Sequence, residues 1–369
     1  GYYLLSKSNN SVGVSSDFLF FPDDQRAKKT KEPSEMFMEY YTYKDIPSQD
    51  YKNNKFGLYI YAENKKFFDL ASKLVNSNGG SWGYVLIPYN IKDYDANKWG
   101  KVFSLLLEKK LIPIIQLYDV DPSKYKKQTE KAAEFLDSFL WPVKQRYISV
   151  YNEPNDEKFW KGYVDAKEYA KILDFTIDEF KAKNSNFFML NGAFNVSAST
   201  GGGYVDSFTF MSQMDVAVPG IFNKLDGWAS HSYPQPNFSG SIDTKGRMGI
   251  RAYEVELDYL KNELGLEKDL PVFITETGWA HAEGEKYNPA YLSSEQVGNY
   301  IKSAYEKYWL PDSRVVAVTP FTIWYPVPFD HFSWVDKKYN PYPQYEIVKS
   351  MPKVSGTPQE LITKTYRRE

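Results

Sequence analysis

Two glutamates are placed where a pair of carboxylates could do chemistry together. Glu153 follows the run Tyr147–Asn152 and precedes Pro154, while Glu276 follows Val272–Thr275 and precedes Thr277-Gly278-Trp279. Each stands directly after a short apolar stretch, at the point where such a stretch meets solvent. Close like charges push their pKa values apart, so two facing carboxylates can hold different protonation states at one pH. One can then give up a proton while the other attacks carbon or activates water. Pro154 would stiffen the turn after Glu153. Asn152 beside it carries an amide able to bond a ligand hydroxyl.

The elements that must position these residues can be read from the hydrophobic pattern. From about Lys55 to Pro326, short β-rich apolar runs alternate with longer amphipathic stretches, the pattern of βα units and a parallel sheet. The spacing predicts strands at Phe56–Tyr61, Trp82–Pro88, Ile112–Leu117, Tyr147–Asn152, Phe187–Asn191, Gly227–His231, Val272–Thr275 and Val315–Phe321. Helices are predicted at Lys65–Asn76, Ala96–Lys110, Lys127–Phe139, Ala166–Ala182, Arg251–Leu264 and Ser294–Trp309. A less regular stretch, Tyr204–Leu225, reads as a helix broken at Pro219-Gly220. The expected fold class is α/β, a single (β/α)8 TIM barrel with decorated loops on its C-terminal face and an N-terminal extension. The extension covers residues 1–54, the barrel 55–350, and a C-terminal tail, polar or helical, 351–369. A doubly wound open sheet is the alternative. It usually carries a Gly-rich phosphate turn after its first strand. Here that strand leads into Tyr61-Ala62-Glu63-Asn64, and Gly201–Gly203 lacks the required spacing, so it reads as a loop.

In a (β/α)8 barrel, active sites form at the C-terminal ends of the strands. Glu153 would sit there after the fourth strand and Glu276 after the seventh. Glycosidic cleavage needs this equipment: one protonated carboxyl for the leaving oxygen, and one ionised carboxyl to attack the anomeric carbon or activate water. These residues, with Asn152-Glu153-Pro154 after the fourth strand and Thr275-Glu276-Thr277-Gly278-Trp279 after the seventh, resemble the clan A glycoside hydrolases. The resemblance spans roughly Lys55 to Pro326. It implies Glu153 as acid/base, Glu276 as nucleophile and retention of anomeric configuration, on a β-linked oligo- or polysaccharide.

It further implies that His231 or Tyr233, after the sixth strand, contacts the nucleophile, and that Trp324, after the eighth, floors the subsite where the bond breaks. Trp279, Trp160, Tyr89, Tyr118, Trp334 and Phe332 are candidates for more distant sugar subsites. Gln116 could reach the site from the third strand. Asp119 reads as a helix cap. No arginine from an early strand is available to match the clan families that have one; the first strand offers Tyr59, Tyr61 and Glu63 instead.

The bulk composition narrows the classes. Net charge is −2, so no basic excess points to nucleic acid or an anionic membrane. Aromatic residues reach 17%, more than a core needs, and the surplus of Tyr and Trp suits stacking on sugar faces. Cysteine is absent, which excludes disulfides, thiolate metal sites and a Cys nucleophile. The chemistry calls for no cofactor. The three histidines, His231, His281 and His331, all fall in loops on the expected active-site face. They could form a zinc site, but sugar contacts or loop packing explain them more simply, and the expectation is no metal.

Long aromatic loops at Pro234–Gly246 and Pro326–Tyr342 suit a cleft for an extended glycan. Gly1–Ser6 reads either as the end of a removed signal or anchor, or as an ordinary strand. The expectation is a monomer acting outside the cell or on its surface. Two other outcomes share this sequence: a transglycosylase on the same site, and a non-catalytic glycan-binding protein on a former enzyme scaffold.

Overall fold

The structure is a computed structural model that describes residues 11–12 and 37–367. The expectations for Gly1–Ser6 and for a solvated loop at Arg26–Glu32 lie outside the described residues. In chain order the strands are β1 (Ser11–Val12), β2 (Phe37–Tyr43), β3 (Gly57–Tyr59), β4 (Gly83–Asn90), β5 (Leu111–Tyr118), β6 (Arg146–Val150), β7 (Phe187–Asn191), β8 (Trp228–His231), β9 (Val272–Glu276), β10 (Val315–Val318) and β11 (Leu361–Arg367). The helices are α1 (Lys65–Val75), α2 (Ala96–Glu108), α3 (Tyr125–Asp137), α4 (Ala166–Lys183), α5 (Ser207–Ala217), α6 (Tyr253–Asn262), α7 (Ser294–Ala304) and α8 (Pro343–Ser350). The eight strands expected from the sequence correspond to β3–β10.

These strands form two parallel groups, β3-β4-β5-β6-β7 and β8-β9-β10. Single parallel bridges join the groups at both edges, Leu190 to Gly227 and Phe56 to Val318. Alternate residues feed two apolar layers. Tyr84, Leu86, Ile112, Ile114, Tyr147, Ala229, Phe273 and Ala317 fill the space between the strands. Val85, Ile87, Ile115, Ile148, Trp228 and Ile274 pack outward against the helices. Burial on both faces explains why these strands read as continuous apolar runs.

Side chains start most of the helices by accepting otherwise unpaired backbone N–H groups. Asn64 caps α1, Asp95 α2, Asp165 α4 and Asp206 α5, and Ser293 with Gln296 forms a reciprocal capping box on α7. The break expected at Pro219-Gly220 falls between α5 and the 3-10 turn Ile221–Lys224, with Gly220 left-handed at φ 75°.

The clearest departure lies outside the parallel strands. The stretch after residue 351, read as a polar tail or a helix, ends in β11, which pairs antiparallel with β2 from Leu361–Tyr43 to Arg367–Phe37. β1 pairs with the other edge of β2. Among the described residues, no helix is long and apolar enough to cross a membrane.

Candidate active site

Glu153 is aimed by an unusual piece of backbone. After β6 ends at Val150, Tyr151 and Glu153 both take left-handed conformations, with φ of 72° and 37°. Non-glycine residues there cost of order 1–3 kcal/mol each and persist only where the surroundings enforce them. Here the Glu153 N–H donates to the Ala193 carbonyl (2.9 Å), and the Glu153 carbonyl accepts from the Asp156 N–H (2.9 Å). Gly192 lets the β7 loop pass close by. A Cβ at that position would lie 2.6 Å from the Val150 carbonyl oxygen.

Glu276 is aimed by a register shift. Along β8 and β9, Ala229 faces Phe273 and Ser230 faces Ile274, but His231 faces Glu276, skipping Thr275. Strict alternation from the inward Phe273 would turn Glu276 outward. The bulge resets the phase and brings Glu276 level with His231 on the inner side, as bulges beside sites commonly do.

The two carboxylates converge on His231. Its Nδ1 lies 2.8 Å from Glu153 Oε1 and 3.7 Å from Glu276 Oε2. The Tyr233 hydroxyl donates to Glu276 Oε2 at 3.1 Å. One ligand-type atom from each of Glu153, His231 and Glu276 lies within 4.8 Å of the others. Among the described residues this is the one grouping of three His, Asp or Glu side chains close enough to hold a metal ion. All three line a cavity of about 200 Å³, with Tyr59, Asp156, Asn195, Phe238, Phe321 and Tyr325 among the other walls.

Burial is the largest influence on Glu276 and pushes its carboxyl up to about 7. The charge of His231 opposes this, Glu153 reinforces it, and the Tyr233 hydroxyl opposes it. For His231, burial favours the neutral ring, but Glu276 and Glu153 together outweigh it and raise its pKa. The charges of Glu276 and His231 therefore depend on each other.

Neither a family model nor a curated protein matches this sequence. Solved structures do match in three dimensions. A monomeric β-xylosidase from Caulobacter crescentus CB15 superposes with a TM-score of 0.57 at 15% identity, over 85% of this chain and 71% of that one. A GH128 (subgroup II) endo-β-1,3-glucanase from Pseudomonas viridiflava gives 0.51 at 15% identity, over 81% and 98%. A GH2 β-galacturonidase from Eisenbergiella tayi gives 0.54 at 13% identity, over 88% of this chain but 55% of that one. This chain shares the fold of solved glycoside hydrolases.

The remaining sequence-predicted residues divide by position. Asn152 lines the cavity, and its Oδ1 accepts from Gln116 Nε2 at 3.1 Å. Gln116 thus stands behind Asn152 rather than on the cavity wall. Trp324 is not on the wall either; it stacks on Phe67 and meets the edge of Tyr61, among the outer core. Phe321 and Tyr325 occupy the wall in its place. Trp279 is buried, with its Nε1 donating to the Gly240 carbonyl at 2.8 Å. Of the more distant candidates, Phe332 lines the cavity. Tyr89, Trp160 and Trp334 are buried in packing, and Tyr118 is exposed away from the wall.

Asp119 corrects another expectation. It does not cap a helix but pairs with Lys92 and Lys161 (2.9 and 3.1 Å). The three histidines do not gather: His281 Nε2 bonds the Ser333 carbonyl and His331 Nδ1 the His281 carbonyl. Tyr59, Asp156, Asn195, Tyr204 and Phe238 line the cavity unforeseen. Of these, Tyr59 alone carried a signal, as the third residue from the end of a predicted strand.

Behind β8, Glu256 on α6 is fully buried, and Ser230 Oγ donates to its Oε2 at 2.5 Å. Burial pushes this carboxyl from its ordinary 4.5 to about 7. The folded state therefore holds the proton more tightly than the unfolded chain does. The resulting stability is complete below about pH 4.5 and is lost as pH rises through about 7, on the order of 3 kcal/mol in all. Glu256→Gln should remove this slope. Thermal melts across that window are expected to show the wild type losing stability relative to the variant; parallel curves would refute a buried neutral acid.

Proposed function

We propose that this chain is a retaining β-glycosidase working at the mouth of a closed eight-stranded barrel, on an oligo- or polysaccharide. The observation that carries the reading is the spacing of the two carboxylates. Their facing oxygens lie within 4.8 Å. Retaining enzymes hold the pair about 5–5.5 Å apart, whereas inverting ones leave roughly 6.5–9.5 Å for a water molecule. The shared fold adds support, since the solved neighbours are named as a xylosidase, a glucanase and a galacturonidase.

Glu276 attacks the anomeric carbon while the bond to the leaving oxygen breaks. Glu153 delivers a proton to that oxygen, and a glycosyl-enzyme ester forms on Glu276. Water then adds to the anomeric carbon, gives its proton to Glu153, and releases Glu276 as a carboxylate. The Tyr233 hydroxyl bond favours an ionised Glu276. Glu153 can exchange a proton with His231 along their 2.8 Å hydrogen bond, which supplies the acid form before attack and drains it afterwards. Asn152, held by Gln116, is placed to bond a sugar hydroxyl. Phe159 and Phe329 line the cavity while staying 45% and 40% exposed. Rings that are both wet and at the rim suit further sugars beyond the bond that is cut.

A screen of aryl β-glycosides, β-glucans, mannans and xylans tests the activity. Proton NMR of the first-formed product should show the β-anomer before mutarotation. An α-anomer as first product would overturn the two-step mechanism.

A further inference from the structure

We infer that the cavity selects uncharged sugar rings and rejects uronic acids, and that Asp156 is a residue enforcing this choice. The inference rests on the glycosidase reading and names its substrate class. The charged groups lining the cavity are Glu153, Asp156 and Glu276 on one side of the balance, and His231 and Lys158 on the other. The three acids are nearly buried, at 8%, 2% and 8% exposure. Their field is therefore poorly screened within the cavity.

The two cations are outnumbered and poorly placed for a substrate carboxylate. His231 Nδ1 is already engaged between Glu153 and Glu276, and its Nε2 is sealed from solvent. Lys158 is an exposed rim residue whose backbone N–H donates to Asp156 Oδ1 at 2.9 Å and whose charge already acts on that same carboxylate. Among the described side chains, guanidinium groups, which grip carboxylates in a bidentate fork, are committed elsewhere. Arg146 pairs with Asp137, Arg247 with Asp206, Arg251 with Glu254, and Arg314 with Asp312 and Glu254.

Asp156 forms no salt bridge among the described residues; Lys158 acts on it through its charge and its backbone N–H alone, so the carboxylate still faces whatever enters. A uronate would bring a further anion into this space. The neutral walls, among them Asn152, Asn195, Ser197, Gln235 and Tyr204, offer hydroxyl-sized partners instead. Rejection by an unmatched like charge is a common route to specificity.

Initial rates on matched aryl β-glycosides decide it: glucoside and xyloside against glucuronide and galacturonide, near neutral pH where the uronates are ionised. In the wild type, kcat/KM for the best neutral substrate should exceed that for its uronic counterpart by at least about 100-fold, chiefly through KM. Asp156→Asn keeps the Oδ1 acceptor for the Lys158 N–H and should narrow that ratio about tenfold. A uronide cleaved as well as its neutral match would overturn the inference. So would an unchanged ratio in a folded Asp156→Asn protein. Calorimetry on wild-type protein with a neutral and an acidic disaccharide reads the same preference without turnover. Neutral binding without cleavage would sink the hydrolase reading and keep this one; preference for the acidic sugar, or binding of neither, would sink this one.

Discussion

Glu276→Gln is expected to lower turnover on every competent glycoside by about 10⁵-fold while leaving the fold intact. The amide matches the carboxylate in size and can still accept the Tyr233 hydroxyl bond. What it lacks is the negative oxygen that forms the ester. Local packing should therefore survive, and since burial disfavours the charged carboxyl, removing it should not cost stability. Steady-state rates on an aryl β-glycoside, with circular dichroism and a melting curve on the same samples, check both parts. A folded variant with wild-type kcat would end the assignment of Glu276 as nucleophile.

Glu153→Gln should show a loss that depends on the leaving group. With an unactivated disaccharide, where departure needs a proton, the loss should be about 10³-fold. With a dinitrophenyl glycoside the first step needs no acid, so glycosylation should run nearly as before. The second step then lacks its base, and the ester on Glu276 should accumulate, giving a burst of dinitrophenolate followed by slow release. Stopped-flow absorbance measures the burst. Equal losses on both substrates, with no burst, would show that Glu153 does something other than proton transfer.

Both carboxylates were legible in the sequence because each stands at or just past the end of a strand buried on both faces. Such strands appear as unbroken apolar runs, and the first polar residues after them mark the rim. His231 and Tyr233 were legible by the same logic. The means of aiming was not. The extra residue at Thr275 that turns Glu276 inward, and the left-handed Tyr151 and Glu153, depend on contacts from neighbouring strands. Simple alternation along β9 would have turned Glu276 the wrong way.

Trp324 failed to reach the wall for a related reason. β10 ends at Val318, so the predicted strand to Phe321 ran too far and inward-outward parity was lost. Among the residues that follow, side-chain size does not say which face the cavity. Hence the sequence favours the larger ring over Phe321 and Tyr325. The pairing of β2 with β11 was hidden differently. Leu361–Arg367 is rich in β-branched and aromatic residues (Ile362, Thr363, Thr365, Tyr366), a fair strand pattern in itself, but its partner lies almost the whole chain away, and no local signal names a partner at that range.

That remote pairing has a consequence for how the molecule comes apart. β11 closes a loop containing all of β3–β10, so the two segments flanking the parallel strands act as a clasp. Cutting away residues 361–367 would strip a full row of backbone partners from Phe37–Tyr43. The bared ribbon would then be a template for a neighbouring molecule's strand. The first symptom of removing these residues should be self-association rather than a damaged cavity around Glu153 and Glu276.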